Sequence, residues 1–371
     1  MKRTLSVGLA IVLSVGIFFL MSCQTKEVTS AKVYIQQDDW DKAIEQLEQA
    51  VQLYPNDMEA HYLLAQGYGK QGKFPEMVRE MDASLAIGPQ YKADIDKLRQ
   101  YHWGTNFNKG IKSHKEEDQE SAVESFKTAI LIDPTRPEAY KNLAIVYSNM
   151  QMKDKSAEVY EDLVKVVPND AQALRQLAQL RRDLKEYKAA VDVLKKALAL
   201  DPNDSGTLSS LAITYDLMGE KQEAFSMYEN ALANDPGNTD LMFNLGQLHF
   251  QNGNYDEAIN LFDKVINASP DDYDSNLRIG YAYLGIADEV TKEINALIEK
   301  SEDVPQEMRD KRKGFFEKAV PYLEKCTSLL EQNPSLSADP SKVWHFLAVA
   351  YINTGEKEKG EAAFKKEEQL K

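Results

Sequence analysis

The chain has few of the residues that carry most protein chemistry. Only two cysteines and five histidines occur among its 371 residues. Two cysteines are too few for a disulfide scaffold, and they nearly exclude a cysteine-rich zinc site. Basic residues are also in the minority, because 44 lysines and arginines face 59 aspartates and glutamates, for a net charge of −15. Since phosphate binding needs a basic surface, this balance argues against a nucleic-acid-binding protein.

The motifs of common catalytic and metal sites are missing as well. The histidines form no H-x-x-H or H-E-x-x-H arrangement, and the sequence has no C-x-x-C motif. It also contains no glycine-rich phosphate loop and no nucleophile elbow. The sequence therefore predicts no catalytic residues, no metal site and no cofactor. We expect a protein that is not an enzyme.

The only long hydrophobic run lies at the N-terminus. Lys2 and Arg3 precede an uncharged, apolar stretch from Thr4 to Met21, and polar sequence begins directly after Cys23. A basic start, an apolar core and small residues before a cut describe a secretory signal. The run Leu20-Met21-Ser22-Cys23 resembles the lipobox of bacterial lipoproteins. The resemblance implies that residues 1–22 are a removable signal peptide and that Cys23 carries a thioether-linked diacylglycerol.

This resemblance predicts a location in the bacterial cell envelope, lipid-anchored on the periplasmic side. Gln24 favours the outer membrane, since Asp at that position retains lipoproteins of the enterobacterial type in the inner membrane. The alternative is an uncleaved membrane anchor or a simple cleaved signal, because the run is close to the lower limit of the ~17–25 residues that span a bilayer. Loss of Lys2 and Arg3 would leave a mature chain of net charge −17. Such a chain should be held at the membrane by its lipid alone.

Prolines recur at a fixed interval through the rest of the sequence. Pro134, Pro168, Pro202, Pro236 and Pro270 follow one another at steps of 34 residues. A fixed period of 20–50 residues indicates a repeat protein. The short motifs around these prolines, such as VPND and DPND, end in Asp or Asn, residues that cap the helix that follows.

Small and large apolar residues repeat in step with the prolines. In residues 205–238, the small residues Ala212, Ala224 and Ala231 stand at positions 8, 20 and 27, and Leu211 and Tyr228 are among the large ones. This pattern and the 34-residue period resemble the tetratricopeptide repeat (TPR). The resemblance covers essentially all of residues 24–371. It implies an all-α fold, a right-handed α-solenoid of about nine helix-turn-helix units, two of them with lengthened helices.

The repeats divide the mature chain into nine units. Residues 92–102 are extra and predict a long helix from about Tyr91 to His114. In the eighth unit, residues 288–318 delay the second helix, with a break expected at Ser301–Pro305. Two elongated helices are the simplest account, and a degenerate extra repeat is the alternative. The units are predicted at 24–57, 58–91, 103–136, 137–170, 171–204, 205–238, 239–272, 273–340 with an insertion, and 341–371.

In TPR proteins, the first helices of successive units line a concave groove that binds a peptide or a partner helix. Transferring the groove positions to this sequence gives a polar group followed by an aromatic one. The predicted partner-binding residues are Lys141, Arg175, Gln179, Arg182, Phe243, Gln247, Phe250 and Tyr281. The family's carboxylate clamp is absent, because Ile145, Gln172 and Gln176 replace residues that it needs.

The resemblance therefore implies an interaction protein whose partner the sequence does not identify. We expect a membrane-anchored periplasmic scaffold or adaptor for a protein complex of the envelope. The alternative is an accessory subunit that binds polysaccharide or peptidoglycan, or that regulates an envelope enzyme. Cys326 and His249 could in principle act as a nucleophile or a metal ligand. Both stand at positions that the repeat packs into its core, so we interpret them as structural residues.

Overall fold

The computed structural model describes residues 25–371, so the signal segment and the predicted lipidation site Cys23 lie outside the described residues. Those 347 residues are α-helical apart from their turns and one short 3-10 helix at Pro334–Leu336, and they contain no β-strand. The all-α prediction is confirmed. None of the helices described combines the length and the apolar character that crossing a membrane requires.

The chain divides into two compact units. The first extends to Pro168 and the second comprises Asn169–Lys371. The helices of the first unit are α1 Lys26–Gln36, α2 Trp40–Leu53, α3 Met58–Lys70, α4 Phe74–Ile87, α5 Lys92–Lys115, α6 Gln119–Ile132, α7 Pro137–Asn149 and α8 Lys153–Val166. Successive helices form contacting pairs, α1 with α2, α3 with α4, and so on.

The second unit has the same organisation. Its helices are α9 Ala171–Asp183, α10 Tyr187–Leu200, α11 Ser205–Met218, α12 Lys221–Asn234, α13 Thr239–Gln251, α14 Tyr255–Ala268, α15 Tyr273–Glu299, α16 Gln306–Gln332, α17 Pro340–Thr354 and α18 Lys357–Leu370. They again pack in consecutive pairs. The described residues thus contain nine helix pairs.

Aspartate or asparagine caps most of the first helices, as the repeated motifs predict. The Asp170 carboxylate accepts a hydrogen bond from the backbone N–H of Ala173 at 2.9 Å. Such a cap satisfies a donor that the first helical turn leaves unpaired. The other caps of this kind are Asp57, Asp204, Asn238 and Asp272.

Every pair turns through one residue in the left-handed backbone region. Nine described residues have positive φ, one between the two helices of each pair, and five of them are not glycine. The five are Asp38, Glu117, Gln151, Lys185 and Ser301, with φ between 56° and 62°. A residue with a side chain is strained there by about 1–2 kcal/mol. The repeat geometry therefore forces this conformation even where the sequence supplies no glycine.

Small residues allow the two helices of a pair to approach closely. Ala212, Ala224 and Ala231 have no exposed surface. Gly246 packs against Phe262, and a Cβ atom at that glycine would lie only 2.9 Å from the phenyl ring. The alternation of small and large residues noted in the sequence is thus the packing rule of the helix pairs.

Two pairs contain lengthened helices, and this prediction is confirmed. Helix α5 has 24 residues, and α15 and α16 have 27 each, against 13 or 14 in most others. Helix α15 ends at Glu299 and α16 begins at Gln306, which places the break where it was expected. No additional helix pair occupies residues 288–318. At 1.5 Å per residue, the extra length extends the α15–α16 hairpin by roughly 20 Å.

Candidate partner-binding surface

The first unit contributes one of the predicted partner-binding residues. Lys141 lies on α7 and is half-buried, and its side chain interacts with neighbouring residues. Ile145 follows one turn later and is 46% exposed. An exposed isoleucine beside a lysine gives this part of α7 a mixed apolar and basic surface.

Helix α9 carries three predicted residues, and both of its predicted arginines bind polar groups of the next repeat. The Arg175 guanidinium lies 2.6 Å from a carboxylate oxygen of Asp204, the N-cap of α11. Arg182 donates to the backbone carbonyl of Ser210 at 3.0 Å and also to the side-chain oxygen of Gln179. The side chains that were predicted to face a partner therefore first connect two repeats to each other.

Each of these arginines has a carboxylate nearby, Asp204 for Arg175 and Asp183 for Arg182. Partial burial alone would raise the pKa of Asp204, but hydrogen bonds from Thr207 and the charge of Arg175 hold it below its ordinary value. Burial lowers the pKa of Arg182, although Asp183 acts in the opposite direction. Gln179 is exposed and binds Asp183 at 3.0 Å. Of the three, Gln179 is the most accessible to a partner.

Helix α13 carries three more of the predicted residues, and its two phenylalanines are half-buried. The Phe243 ring packs on Phe262 with centroids 5.5 Å apart, and Phe250 packs edge-on against Tyr255 at the same distance. The Arg278 guanidinium of α15 lies 5.6 Å from the Phe250 centroid, within range of a cation–π contact. These rings help to hold α13, α14 and α15 together, so only part of each is available to a ligand.

Gln247 lies between these two phenylalanines, one turn from each. Its side-chain oxygen Oε1 is buried and has no hydrogen-bond partner among the described residues. A buried acceptor without a donor costs about 1–3 kcal/mol. A donor from a bound partner could satisfy it.

Tyr281, the last predicted residue, lies in a pocket between α15, α16 and α17, which we call the C-terminal pocket. The pocket has a volume of about 580 Å³, within the range of small-ligand sites. Tyr281 and Phe346 both line it, with ring centroids 4.8 Å apart. Burial raises the pKa of the Tyr281 hydroxyl to about 12. The lining residues are Tyr281, Leu284, Gly285, Asp288, Thr291, Arg312, Phe316, Phe346, Val349 and Asn353.

One wall of the C-terminal pocket comes from the lengthened hairpin. Tyr281, Leu284 and Val349 stand at the groove-facing positions of their repeats, whereas Thr291 and Arg312 belong to the extra turns of α15 and α16. The lengthening therefore encloses a surface that remains open beside an ordinary repeat.

Sequence reasoning missed most of this pocket. Arg312 and Phe316 lie in the part of the chain that departs from the 34-residue period, where repeat positions cannot be assigned. Phe346 was missed for another reason, because position 6 is not among the groove positions that the family supplies. The interruption of the period was itself the available signal that this region has its own geometry.

The described residues contain no group of three histidine, cysteine, aspartate or glutamate side chains that could hold a metal ion. A buried pair of ionisable side chains does occur in the first unit, within one helix pair. His61 and Glu80 are both buried, and the His61 Nδ1 atom lies 2.6 Å from the Glu80 carboxylate. Arg79 contacts the other carboxylate oxygen at 2.9 Å. The two remaining chemically notable residues are packed, since His249 lies against Phe225 and Cys326 is fully buried.

Family models for the tetratricopeptide repeat match four segments of the chain. Three described as tetratricopeptide repeats match residues 141–205, 218–278 and 341–366, and one described as a TPR repeat matches residues 31–72. Together they cover just over half of the chain and include residues of both units. The chain belongs to the tetratricopeptide-repeat proteins. Proteins of this class are in general interaction scaffolds without enzymatic activity.

Solved structures of similar chains are also repeat proteins. A MamA structure is 25% identical and covers 45% of this chain and 91% of its own, with a TM-score of 0.41. A tetratricopeptide repeat protein from Parabacteroides merdae is 18% identical and covers 73% and 93%, with a TM-score of 0.49. YrrB, described as a TPR protein with an unusual peptide-binding site, is 22% identical and covers 45% and 86%, with a TM-score of 0.39. No curated protein matches the chain.

Proposed function

We propose that this protein is a lipid-anchored adaptor on the periplasmic side of the bacterial envelope, which holds a polypeptide segment of a partner within an envelope complex. The predicted signal peptide of residues 1–22, followed by Cys23, supports the location, and the repeats support the role as an interaction scaffold. The observation that carries the binding role is the C-terminal pocket, where Tyr281, Leu284 and Val349 present apolar surface at the positions that the family uses for ligands.

The anchor has a direct test. Cells expressing the full chain are grown with an alkyne analogue of palmitate, and the protein is examined for incorporated label and for membrane association. We expect label and membrane association for the natural chain and no label for Cys23→Ser, because the Cys23 sulfur is the attachment atom. A Cys326→Ser variant is the matched control and should keep both. Labelling of Cys23→Ser, or release of the natural chain by salt, contradicts the anchor.

The adaptor role is tested by photo-crosslinking in native membranes. A photoreactive phenylalanine is placed at Gln179 or at Phe250, on the predicted partner-binding surface, and at Lys195, which is exposed on α10. We expect one or more specific protein adducts from Gln179 or Phe250 that Lys195 does not give. Identical adducts at all three positions, or none above background, contradict an adaptor that uses this surface.

The alternative of a polysaccharide-binding subunit receives less support from the geometry. A sugar needs an open aromatic face, and the rings of Phe243 and Phe250 are engaged by Phe262, Tyr255 and Arg278. Sedimentation with purified peptidoglycan sacculi distinguishes the two functions. We expect the protein to remain in the supernatant, whereas saturable co-sedimentation would favour the alternative.

A further inference from the structure

We propose that the C-terminal pocket recognises a large apolar side chain next to a carboxylate in a partner polypeptide, with Arg312 as the carboxylate-binding residue. The inference rests on the proposed function, because it assigns a ligand chemistry to part of the same surface. It goes further by naming the residue that selects the ligand and the wall of the fold that supplies it.

The apolar half of the ligand follows from the lining of the pocket. Tyr281, Leu284, Phe316, Phe346 and Val349 come from three helices and surround one space of about 580 Å³. Aromatic and branched side chains gain about 25 cal/mol for each Å² of apolar surface that they bury. A phenylalanine or leucine side chain with its adjoining backbone fits a pocket of this size and composition.

The acidic half of the ligand follows from the charges around the pocket. The Arg312 guanidinium forms no ion pair with any described carboxylate, and its Nε atom is buried without a hydrogen-bond partner. The one carboxylate that lines the pocket, that of Asp288, is 2.7 Å from the ammonium group of Lys292. An unpaired guanidinium is complementary to a carboxylate, which it can bind through two parallel hydrogen bonds.

The rim of the pocket favours a polypeptide over a free fatty acid. The Asn353 side chain donates one hydrogen bond to the Val349 carbonyl at 2.9 Å, which leaves its amide oxygen to accept another. The Thr291 hydroxyl donates to the Ala287 carbonyl at 2.7 Å and can still accept. Backbone N–H groups of a peptide supply such donors, whereas an alkyl chain has none.

Two capped dipeptides test the assignment directly. The protein is the chain from residue 23 onwards with Cys23→Ser, and the probes are N-acetyl-Phe-Glu-amide and N-acetyl-Phe-Gln-amide. Ligand-observed NMR titration gives the dissociation constant of each probe. We expect the acidic probe to bind about 10-fold more tightly, because only its carboxylate can pair with the guanidinium. Equal affinities, or no binding of the acidic probe, would overturn the proposal.

Three variants then locate the effect. Arg312→Gln should remove the preference for the acidic probe, so that the two probes bind with equal affinity. Arg309→Gln removes an exposed arginine from the same helix and should retain the preference. Val349→Trp fills the pocket and should weaken both probes by about 10-fold or more. Thermal melts followed by circular dichroism establish that each variant is folded.

Two outcomes separate this inference from the proposed function. If decanoate binds more tightly than either dipeptide and loses affinity in Val349→Trp, the pocket is a lipid site and the assignment to a polypeptide is wrong. If neither dipeptide binds while Phe250 still gives a specific photo-adduct in membranes, the adaptor function stands and the ligand assigned to this pocket is overturned.

Discussion

At the scale of single residues, the buried contact between His61 and Glu80 makes the stability of the first unit dependent on pH. The hydrogen bond to Glu80 raises the pKa of His61 in spite of burial. Burial alone would raise the pKa of Glu80, but hydrogen bonds from His61 and Arg79 hold it below its ordinary value. The two shifts favour a charged imidazolium beside a charged carboxylate, and the pair therefore stabilises the fold only while both groups are charged.

This pair predicts a stability optimum at mildly acidic pH. The His61 contribution is complete below the ordinary histidine value of 6.5 and is lost as pH rises through the raised pKa. The Glu80 contribution is complete above the ordinary value of 4.5 and is lost as pH falls through the lowered pKa. We expect Glu80→Gln to lower the free energy of unfolding by about 3 kcal/mol near pH 6, because it leaves a buried imidazolium unpaired, and by less at pH 9.

Urea denaturation followed by circular dichroism at the two pH values measures the difference. Glu45→Gln removes an exposed carboxylate from α2 and is the control, with little effect expected at either pH. A loss of stability in Glu80→Gln that is the same at pH 6 and pH 9 would show that the charges of this pair do not contribute.

A second prediction at this scale concerns Cys326. Burial raises the pKa of its thiol to about 12, and its Sγ atom lies 3.7 Å from the Tyr273 carbonyl oxygen. Since the thiolate is the reactive form, alkylation of the folded protein at pH 8 should be at least ~100-fold slower than in urea. Mass spectrometry of Cys23→Ser protein treated with iodoacetamide measures both rates. Comparable rates would mean that the thiol is accessible.

The sequence allowed the burial of Cys326 to be predicted, because the residue stands at a core position of the repeat. It gave no indication of the His61–Glu80 pair. The two residues lie on different helices of one pair, α3 and α4, and His61 was one of five histidines without a motif. Pairing across a helix interface depends on rotation of the helices about their axes, which the period of a repeat fixes only approximately.

At the scale of elements, the turns inside the helix pairs share one backbone conformation, although the residue with positive φ is glycine in some turns and not in others. Lys185 adopts φ of 62° at the position where Gly219 adopts 78° one repeat later. Because a lysine side chain is strained in this region, Lys185→Gly should raise the free energy of unfolding of the second unit by about 0.5–1 kcal/mol, even after the entropic cost of glycine. The converse change, Gly219→Ala, should lower it by a similar amount.

Thermal unfolding of the two variants measures both effects. Lys188→Gly, at an exposed position inside α10, is the matched control and should destabilise, because glycine has a low helix propensity. Destabilisation by Lys185→Gly as large as that of the control would contradict a strained turn.

For the long helices, the sequence predicts the helix bounds but not the packing of the side chains. The absence of helix-breaking residues predicted α5, and its observed bounds, Lys92–Lys115, differ from the expected ones by a single residue at each end. The same reasoning favoured two long helices over an extra repeat for α15 and α16. That Arg312 and Phe316 line one pocket with residues of α17 could not be predicted, since residues outside the period have no assigned repeat position.

At the scale of the whole molecule, acidic charge dominates the surface chemistry. With 59 acidic and 44 basic residues, the chain has little attraction for phosphate groups. We expect the chain from residue 23 onwards with Cys23→Ser not to sediment with vesicles of phosphatidylethanolamine and phosphatidylglycerol at about 0.15 M salt. Binding to these vesicles that weakens as salt increases would reveal a basic surface that the total charge conceals.

The architecture was the part most open to prediction from the sequence. Proline spacing and the alternation of small and large residues independently indicate helix pairs, and the described residues contain nine of them. The partner-binding residues were less predictable, because a family pattern gives the face of a helix but not what its neighbours do. Arg175 and Phe250, for example, are predicted to face a partner and also hold adjacent helices together.

The lengthened α15–α16 hairpin has a consequence for any ligand that lies along the second unit. A surface made of similar repeats presents nearly the same contacts after a shift of one repeat, so an extended ligand could bind in several alignments of similar energy. The extra turns of α15 and α16 line a pocket beside α17, and this makes one location along the repeats different from the others. A ligand that inserts a residue there gains a fixed alignment along the repeats and, with it, a fixed chain direction.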